Sequence, residues 1–207
     1  MSIPIAITEI QDFIAESALS LTRNQRDPRI DSATNEDEII SLIQSKFEVE
    51  RPGMRAWYDL KKNDGTNAYP INIKVSNLHG NDNVQCKLGI YYSLTGVWPS
   101  FRNEISWENF FQKLSSDMTT DTSADYYFLV VNKENPSDVI ATSLKSLQTL
   151  VPNGNNLPFQ CHWGSNRLPK SRTHTEATKF VLANLKKSCD LRSRISSEFE
   201  AHLAKYI

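Results

Sequence analysis

The stretch Tyr126–Val131 (YYFLVV) constrains this chain more than any other. It is far shorter than the roughly 20 residues a membrane-spanning helix needs. It is also too rich in β-branched and aromatic side chains for a short helix. A run that is apolar at both alternating positions must be covered on both faces. It therefore predicts a central strand with layers on either side. Ile39, Ile40, Ile43 and Phe47 recur at helical spacing before it. Phe180, Val181, Leu185, Cys189, Ile195, Phe199 and Leu203 do so after it. Helices before, between and after strands predict an α/β (α+β) fold, a central mixed β-sheet flanked by helices. The 207 residues, 39% hydrophobic and 23% charged, suffice for one such domain but not two.

Finer signals place the other elements. Thr8 and Gln11 form a capping box for a first helix on Ile10, Phe13, Ile14 and Leu21. The polar, proline-containing stretch 23–33 reads as a loop, and a second helix opens after Thr34 or Asn35 and runs to about Phe47. Met54–Leu60 and Tyr69–Ser76 read as antiparallel strands joined by KKNDGTNA, which has hairpin-turn chemistry. After the loop 76–83, Val84, Leu88, Tyr91 and Tyr92 predict a helix ending at Gly96. Ser106 caps a short helix carrying Trp107, Phe110, Phe111 and Leu114. Ser143–Leu150 reads as a short helix and 157–163 (LPFQCHW) as a strand. Thr173 and Glu176 form a second capping box, and the chain from there to Ile207 is mostly helical.

Several function classes are excluded on this reading. The opening MSIPIAITEIQDF lacks the basic lead and long apolar stretch of a signal peptide. Cys86, Cys161 and Cys189 have no CxxC spacing, so reduced thiols in a cytoplasmic protein are expected rather than disulfides or a zinc site. No GxxxxGK[ST] or GxGxxG motif is present, which argues against a nucleotide cofactor. Net charge is −1 but unevenly spread. Residues 1–60 hold 6 Lys and Arg against 11 Asp and Glu, whereas residues 167–207 hold 9 against 4. A basic C-terminal fifth on an acidic chain suggests a local basic face.

The two-strand unit near residue 60 carries the chemistry. Asp59 ends the first strand, and Asn72-Ile73-Lys74 lies on the second. Residues 72 and 74 share a strand face, and antiparallel pairing brings Asp59 beside them. The product is an oxygen-rich corner with a lysine at its rim. Such a corner suits phosphodiester hydrolysis, in which a hard divalent cation binds the phosphate and activates a water. A lysine there can orient or help deprotonate that water, and can stabilise the negative charge of the transition state. Taken singly, Asp59 reads as an ordinary turn residue and Lys74 as a guard of a strand edge.

A helix carboxylate, a strand ending in Asp and a strand carrying (Asp/Glu)-x-Lys resemble the PD-(D/E)XK nuclease superfamily. The order of later elements resembles its EcoRV/HincII-like branch, that of type II restriction endonucleases. The resemblance covers about residues 34–205 as architecture and a handful of residues as identity. It implies a restriction-endonuclease-like fold in one nuclease domain, 1–207. The catalytic core would be about 34–133 and the DNA-recognition and basic helical part about 152–207. It implies a Mg²⁺-dependent enzyme, with Mn²⁺ as a substitute, that cuts double-stranded DNA at a specific sequence. It implies a two-fold homodimer in the cytoplasm of a bacterium or archaeon, with no membrane and no nucleotide cofactor.

On the same resemblance Asp59, Asn72 and Lys74 are catalytic, and Asp59, Asn72 and Ile73 hold the metal. Glu38, with Glu36 as the alternative, supplies the helix carboxylate. Asn72 departs from the pattern, standing where the family has Asp or Glu, and Tyr58 stands where it often has Pro. For DNA contact, the loop after Lys74 offers Asn77, His79, Asn81 and Asn83. The stretch 152–172 offers Asn155, Asn156, Gln160 and His162, then Asn166, Arg167, Lys170 and Arg172. A repair or structure-specific nuclease on the same fold, and a non-catalytic DNA-binding module, are the alternatives.

Overall fold

Hydrophobic periodicity and capping dictate six α-helices in the computed structural model, which describes residues 2–22, 28–53, 56–101, 105–192 and 196–207. They are α1 (Ile5–Glu16), α2 (Pro28–Lys46), α3 (Lys87–Thr95), α4 (Trp107–Asp117), α5 (His174–Leu191) and α6 (Ser196–Leu203). Ser106 caps α4 by accepting from Asn109 N at 3.1 Å. Thr173 and Glu176 form the expected reciprocal box at α5. Gly96 ends α3 with φ of 72°, a left-handed value that costs glycine little.

Among the described residues, eight strands make two sheets. The main sheet contains β1 (Val49–Glu50), β2 (Leu60–Asn63), β3 (Ala68–Ser76), β5 (Tyr127–Asn132) and β6 (Val139–Ser143), in the order β1-β2-β3-β5-β6. β3 and β5 run parallel and the other neighbours antiparallel, so the sheet is mixed. β5 carries strands on both sides, as its apolar run requires. The smaller sheet contains β4 (Asn81–Gln85), β7 (Val151–Pro152) and β8 (Phe159–His162), in the order β4-β8-β7.

Strand alternation sorts the core into two layers. Ile71, Ile73, Tyr127, Leu129 and Val131 face α1 and α2, packing with Ile7, Ile10, Ile14, Ile39 and Ile43. Phe128 and Val130 face the opposite layer, which holds side chains of α3 to α6 and the apolar face of the smaller sheet. Phe159, Cys161 and Trp163 are fully buried there, with the Trp163 and Phe128 rings 5.4 Å apart. Each such large side chain contributes about 1.5–3 kcal/mol on burial.

Some elements differ from expectation. α1 begins at Ile5 after Pro4 with no side-chain cap, so the expected capping pair lies inside the helix, where Thr8 Oγ1 donates to Ile5 O at 2.9 Å and Gln11 Nε2 to Val139 O at 2.7 Å. α2 starts at Pro28, where proline's missing N–H is no loss. Part of the expected 23–33 loop is therefore helical, and residues 23–27 lie outside the described residues. The strand expected at 54–60 begins only at Leu60, and Met54 and Arg55 lie outside the described residues. Trp57 O accepts from the Tyr126 hydroxyl at 2.6 Å, and its ring packs against Tyr58, Tyr92 and Trp98, so the chain bends there. The second half of the 76–83 loop is β4. Residues 139–143 are the edge strand β6, and the helix expected at Ser143–Leu150 reduces to a 3-10 turn at Leu144–Ser146. Ile195 of the expected C-terminal helix lies outside the described residues.

Candidate functional site

β3 sorts its side chains between the two layers. Asn72 pairs with Phe128 and Lys74 with Val130, so both leave the layer of Ile71 and Ile73. Asp59 stands one residue before β2, held by its N–H donating to Ile71 O at 2.9 Å. From there its carboxylate Oδ2 accepts from the Asn72 side-chain amide at 2.7 Å and from Ile73 N–H at 2.8 Å. Ser76 O accepts from Lys133 N, which turns the even-numbered backbone groups of this part of β3 toward β5. The Ile73 N–H and C=O accordingly face the other edge, beside Asp59.

The helix carboxylate at this corner is Glu36. Its Oε1 lies 3.7 Å from Lys74 Nζ, and the two side chains are only 28% and 25% exposed. Glu38, the preferred sequence choice, instead accepts from Thr22 Oγ1 at 2.9 Å. The helical repeat explains the correction. Glu36, Ile40 and Ile43 fall on one face, at i, i+4 and i+7, whereas Glu38 falls among Ser41 and Ser45. Asp37 pairs with Arg51.

Burial governs the electrostatics. It raises the Asp59 carboxyl above its ordinary value, opposed by the Ile73 N–H bond and the Lys74 charge. It raises the Glu36 carboxyl as well, opposed by Lys74 and reinforced by the Asp59 charge. The neighbouring Tyr126 hydroxyl is pushed well above its ordinary value, again by burial, and so stays a neutral donor. Sequence reasoning did not single out Tyr126. Its place two residues before Phe128, on the Asn72 row of the sheet, was the available signal.

Asn72 Oδ1 is buried with no hydrogen-bond partner. An unsatisfied buried acceptor costs roughly 1–3 kcal/mol, and a hard cation is one partner that removes the cost. The oxygen donors at this corner are the Asp59 carboxylate, the Asn72 amide and the Ile73 carbonyl. They fit a hard divalent cation by type, with a single carboxylate among them. Among the described residues, no group of three or more His, Cys, Asp or Glu side chains is placed to hold a metal.

A second polar site lies on the smaller sheet. β8 alternates buried Phe159 and Cys161 with half-exposed Gln160 and His162. Asn83 pairs across with Gln160, and Asn81 with His162, which collects four polar side chains on one face. Asn83 Oδ1 accepts from both Asn153 Nδ2 at 3.0 Å and Gln160 Nε2 at 3.2 Å. His162 Nδ1 accepts from Ser165 N–H at 3.3 Å. The turn from Lys74 to this face is fixed at Leu78, whose φ of 66° is rare for leucine. The residue is buried, and its carbonyl accepts from Gly164 N at 3.2 Å.

The remaining expected DNA contacts divide. Asn77 and His79 are exposed, with Asn77 Oδ1 holding His79 N–H in a local turn. Asn155 is exposed and accepts from Leu157 N–H, Asn156 is exposed and accepts from Arg192, and Lys170 is exposed. Three others are committed to the fold. Asn166 is fully buried, stapling Thr149, Cys161 and His162 together. Arg167 is bidentate to Asp138 at 2.8 and 2.7 Å. Arg172 caps the carbonyls of Lys145 and Leu147 and stacks 4.0 Å from the Phe180 ring. Asn166 is thus buried within the fold, whereas Arg167 remains 46% exposed while paired. On the basic C-terminal segment, Lys186 is paired with Asp190 and Glu200. No helix among the described residues is long and apolar enough to cross a membrane. No protein-family model and no curated protein matches the chain.

Proposed function

We propose that this chain is a divalent-cation-dependent endonuclease of double-stranded DNA, a type II restriction endonuclease of the PD-(D/E)XK superfamily. The reading includes the restriction-endonuclease-like fold and a two-fold homodimer, since a palindromic site matches a two-fold protein. The observation that carries it is the convergence of Asp59 from the turn before β2, Asn72 and Lys74 from β3, and Glu36 from α2 on a single half-buried corner.

Asp59, the Asn72 amide oxygen and the Ile73 carbonyl would hold Mg²⁺, or Mn²⁺ in its place. When bound, the ion supplies Lewis-acid polarisation of the phosphate and a water of lowered pKa. The residues of the chain do the rest. The Lys74 ammonium orients the attacking water and offsets the negative charge that grows on the phosphoryl oxygens. Glu36 holds that ammonium in place from the helix side. Tyr126 and Ile73 fix the positions of the Trp57 and Asp59 backbone and side chain around the corner. The water gives up a proton as its oxygen bonds to phosphorus, the bond to one sugar oxygen breaks, and the leaving oxygen takes up a proton from solvent, so one proton is released and one consumed.

The neutral side chain of Asn72 favours one second reading, a DNA-binding module without catalysis. Incubating a labelled duplex pool with protein and Mg²⁺ or Mn²⁺ separates the two. The nuclease reading expects cation-dependent strand scission that Lys74→Ala and Asp59→Ala lose while still binding DNA. Retained binding with no scission, in the intact chain and in Asn72→Asp alike, selects the binding module.

A further inference from the structure

The hydrogen bonds on the smaller sheet fix which way its amides point outward. Asn83 Oδ1 is occupied twice, by Asn153 and by Gln160. Its own amide nitrogen is therefore the part left to face a ligand, and Asn83 presents a donor. Gln160 spends one amide hydrogen on Asn83 and keeps its carbonyl oxygen, so it presents an acceptor beside that donor. His162 takes the Ser165 N–H on Nδ1, which leaves its Nε2 proton as a further donor. The face is neutral, pre-oriented by its internal bonds, and rigidly backed by the fully buried Phe159 and Cys161. Asn83 lies nine residues on from Lys74, so it is at most about 32 Å from the lysine along the chain, within one turn of B-DNA.

Resting on the nuclease reading above, we infer that this face reads base edges in the major groove, and that Asn83 and Gln160 together recognise one adenine. Adenine shows an acceptor at N7 next to a donor at N6. An isolated Asn or Gln can satisfy both alone, but Asn83 cannot, because its oxygen is already filled. The Asn83 amide donates to N7 while the Gln160 carbonyl accepts from N6. Asn153 is the positioning residue: it contacts no base in this scheme and holds Asn83 in its rotamer. Recognition is split between two strands of the sheet, so losing either partner removes the same base pair from the specificity.

The test is selection from a pool of duplexes with a randomised centre, using Lys74→Ala protein so that bound DNA is not cut. The expected result is a short consensus containing an A·T pair. Asn83→Ala and Gln160→Ala, each in the Lys74→Ala background, erase that pair, with roughly a tenfold to hundredfold loss of preference. The double substitution loses no more than either single one. Asn83→Asp keeps both internal hydrogen bonds and turns the outward donor into an acceptor, so the preference moves toward the cytosine N4 donor. A consensus that survives Asn83→Ala, Gln160→Ala and Asn83→Asp overturns this assignment. Fixed-sequence cutting by the intact chain would then still leave the nuclease reading standing. Protein that neither selects nor cuts DNA overturns both.

Discussion

The corner around Asp59 and the face around Asn83 are built from similar side chains and behave as opposites. At the corner, charged groups are drawn into a half-buried setting, and burial raises both carboxyls above their ordinary values. One amide oxygen there is buried with no partner at all. On the smaller sheet the groups are neutral and solvent-facing, and the central amide oxygen is satisfied twice. Groups left electrostatically unsatisfied are poised to take a cation or a phosphate. Groups that satisfy each other are held still and can discriminate hydrogen-bond patterns. On the proposed nuclease reading, the difference gives chemistry to the first region and base reading to the second.

The largest effect expected tests whether the two regions stand on one foundation. Phe159 is fully buried between the smaller sheet and the layer containing Phe128. Phe159→Ala costs about 3–5 kcal/mol. Tryptophan fluorescence and circular dichroism should lose both regions in a single denaturant transition. Separate transitions would break the comparison by making the regions independent.

Next is Lys74→Ala, which should lower the cleavage rate at least about a hundredfold, as loss of a transition-state charge partner does. The mutation should leave the sequence consensus on bound DNA intact, which single-turnover kinetics and selection together check. A changed consensus would mean that chemistry and reading are not divided as described.

Asn72→Asp sharpens the account of the corner. It places a carboxylate against Asp59 Oδ2, where the amide now donates across 2.7 Å. Without a divalent cation, stability should fall by about 1–3 kcal/mol. Added Mg²⁺ should restore it by binding the folded state alone. Melting curves with chelator and with Mg²⁺ measure both arms.

The smallest effect is in pH. A carboxyl whose folded pKa is raised holds its proton to higher pH in the folded than in the unfolded chain. Asp59 and Glu36 therefore add stability below the ordinary carboxylate pKa and lose it as pH rises through the raised one. On the nuclease reading, cleavage needs the ionised groups, so its rate should climb through that same window. Glu36→Gln should raise the melting temperature at neutral pH and remove part of this slope, while slowing cleavage. A drop in melting temperature would show that its pairing with Lys74 outweighs its burial.

Much of this arrangement was legible from the residues, for identifiable reasons. The central strand announced itself because YYFLVV has no polar side to expose. The caps at Ser106 and Thr173 were legible because a cap is local in sequence. β1, β4, β6 and β7 were not, since each is too short to show an alternating pattern, and β4 alone pairs with a strand distant in the chain, β8. Asp59, Asn72 and Lys74 came together through alternation and hairpin pairing alone. Glu36 was available from the helical repeat that includes Ile40 and Ile43, and the acidic cluster 36–38 masked it. Asn166, Arg167 and Arg172 were beyond sequence reasoning. Their partners, Thr149, Asp138 and the Lys145 carbonyl, meet them only after the chain has folded.

The most direct test of the central claim is digestion of a long, fully sequenced, unmethylated DNA with Mg²⁺ by the intact chain and by Lys74→Ala. Discrete fragments from the intact chain alone, with one sequence at every cut end, are what the account predicts. Uncut DNA from the intact chain and from Asn72→Asp, or fragments that persist in Lys74→Ala, would contradict it.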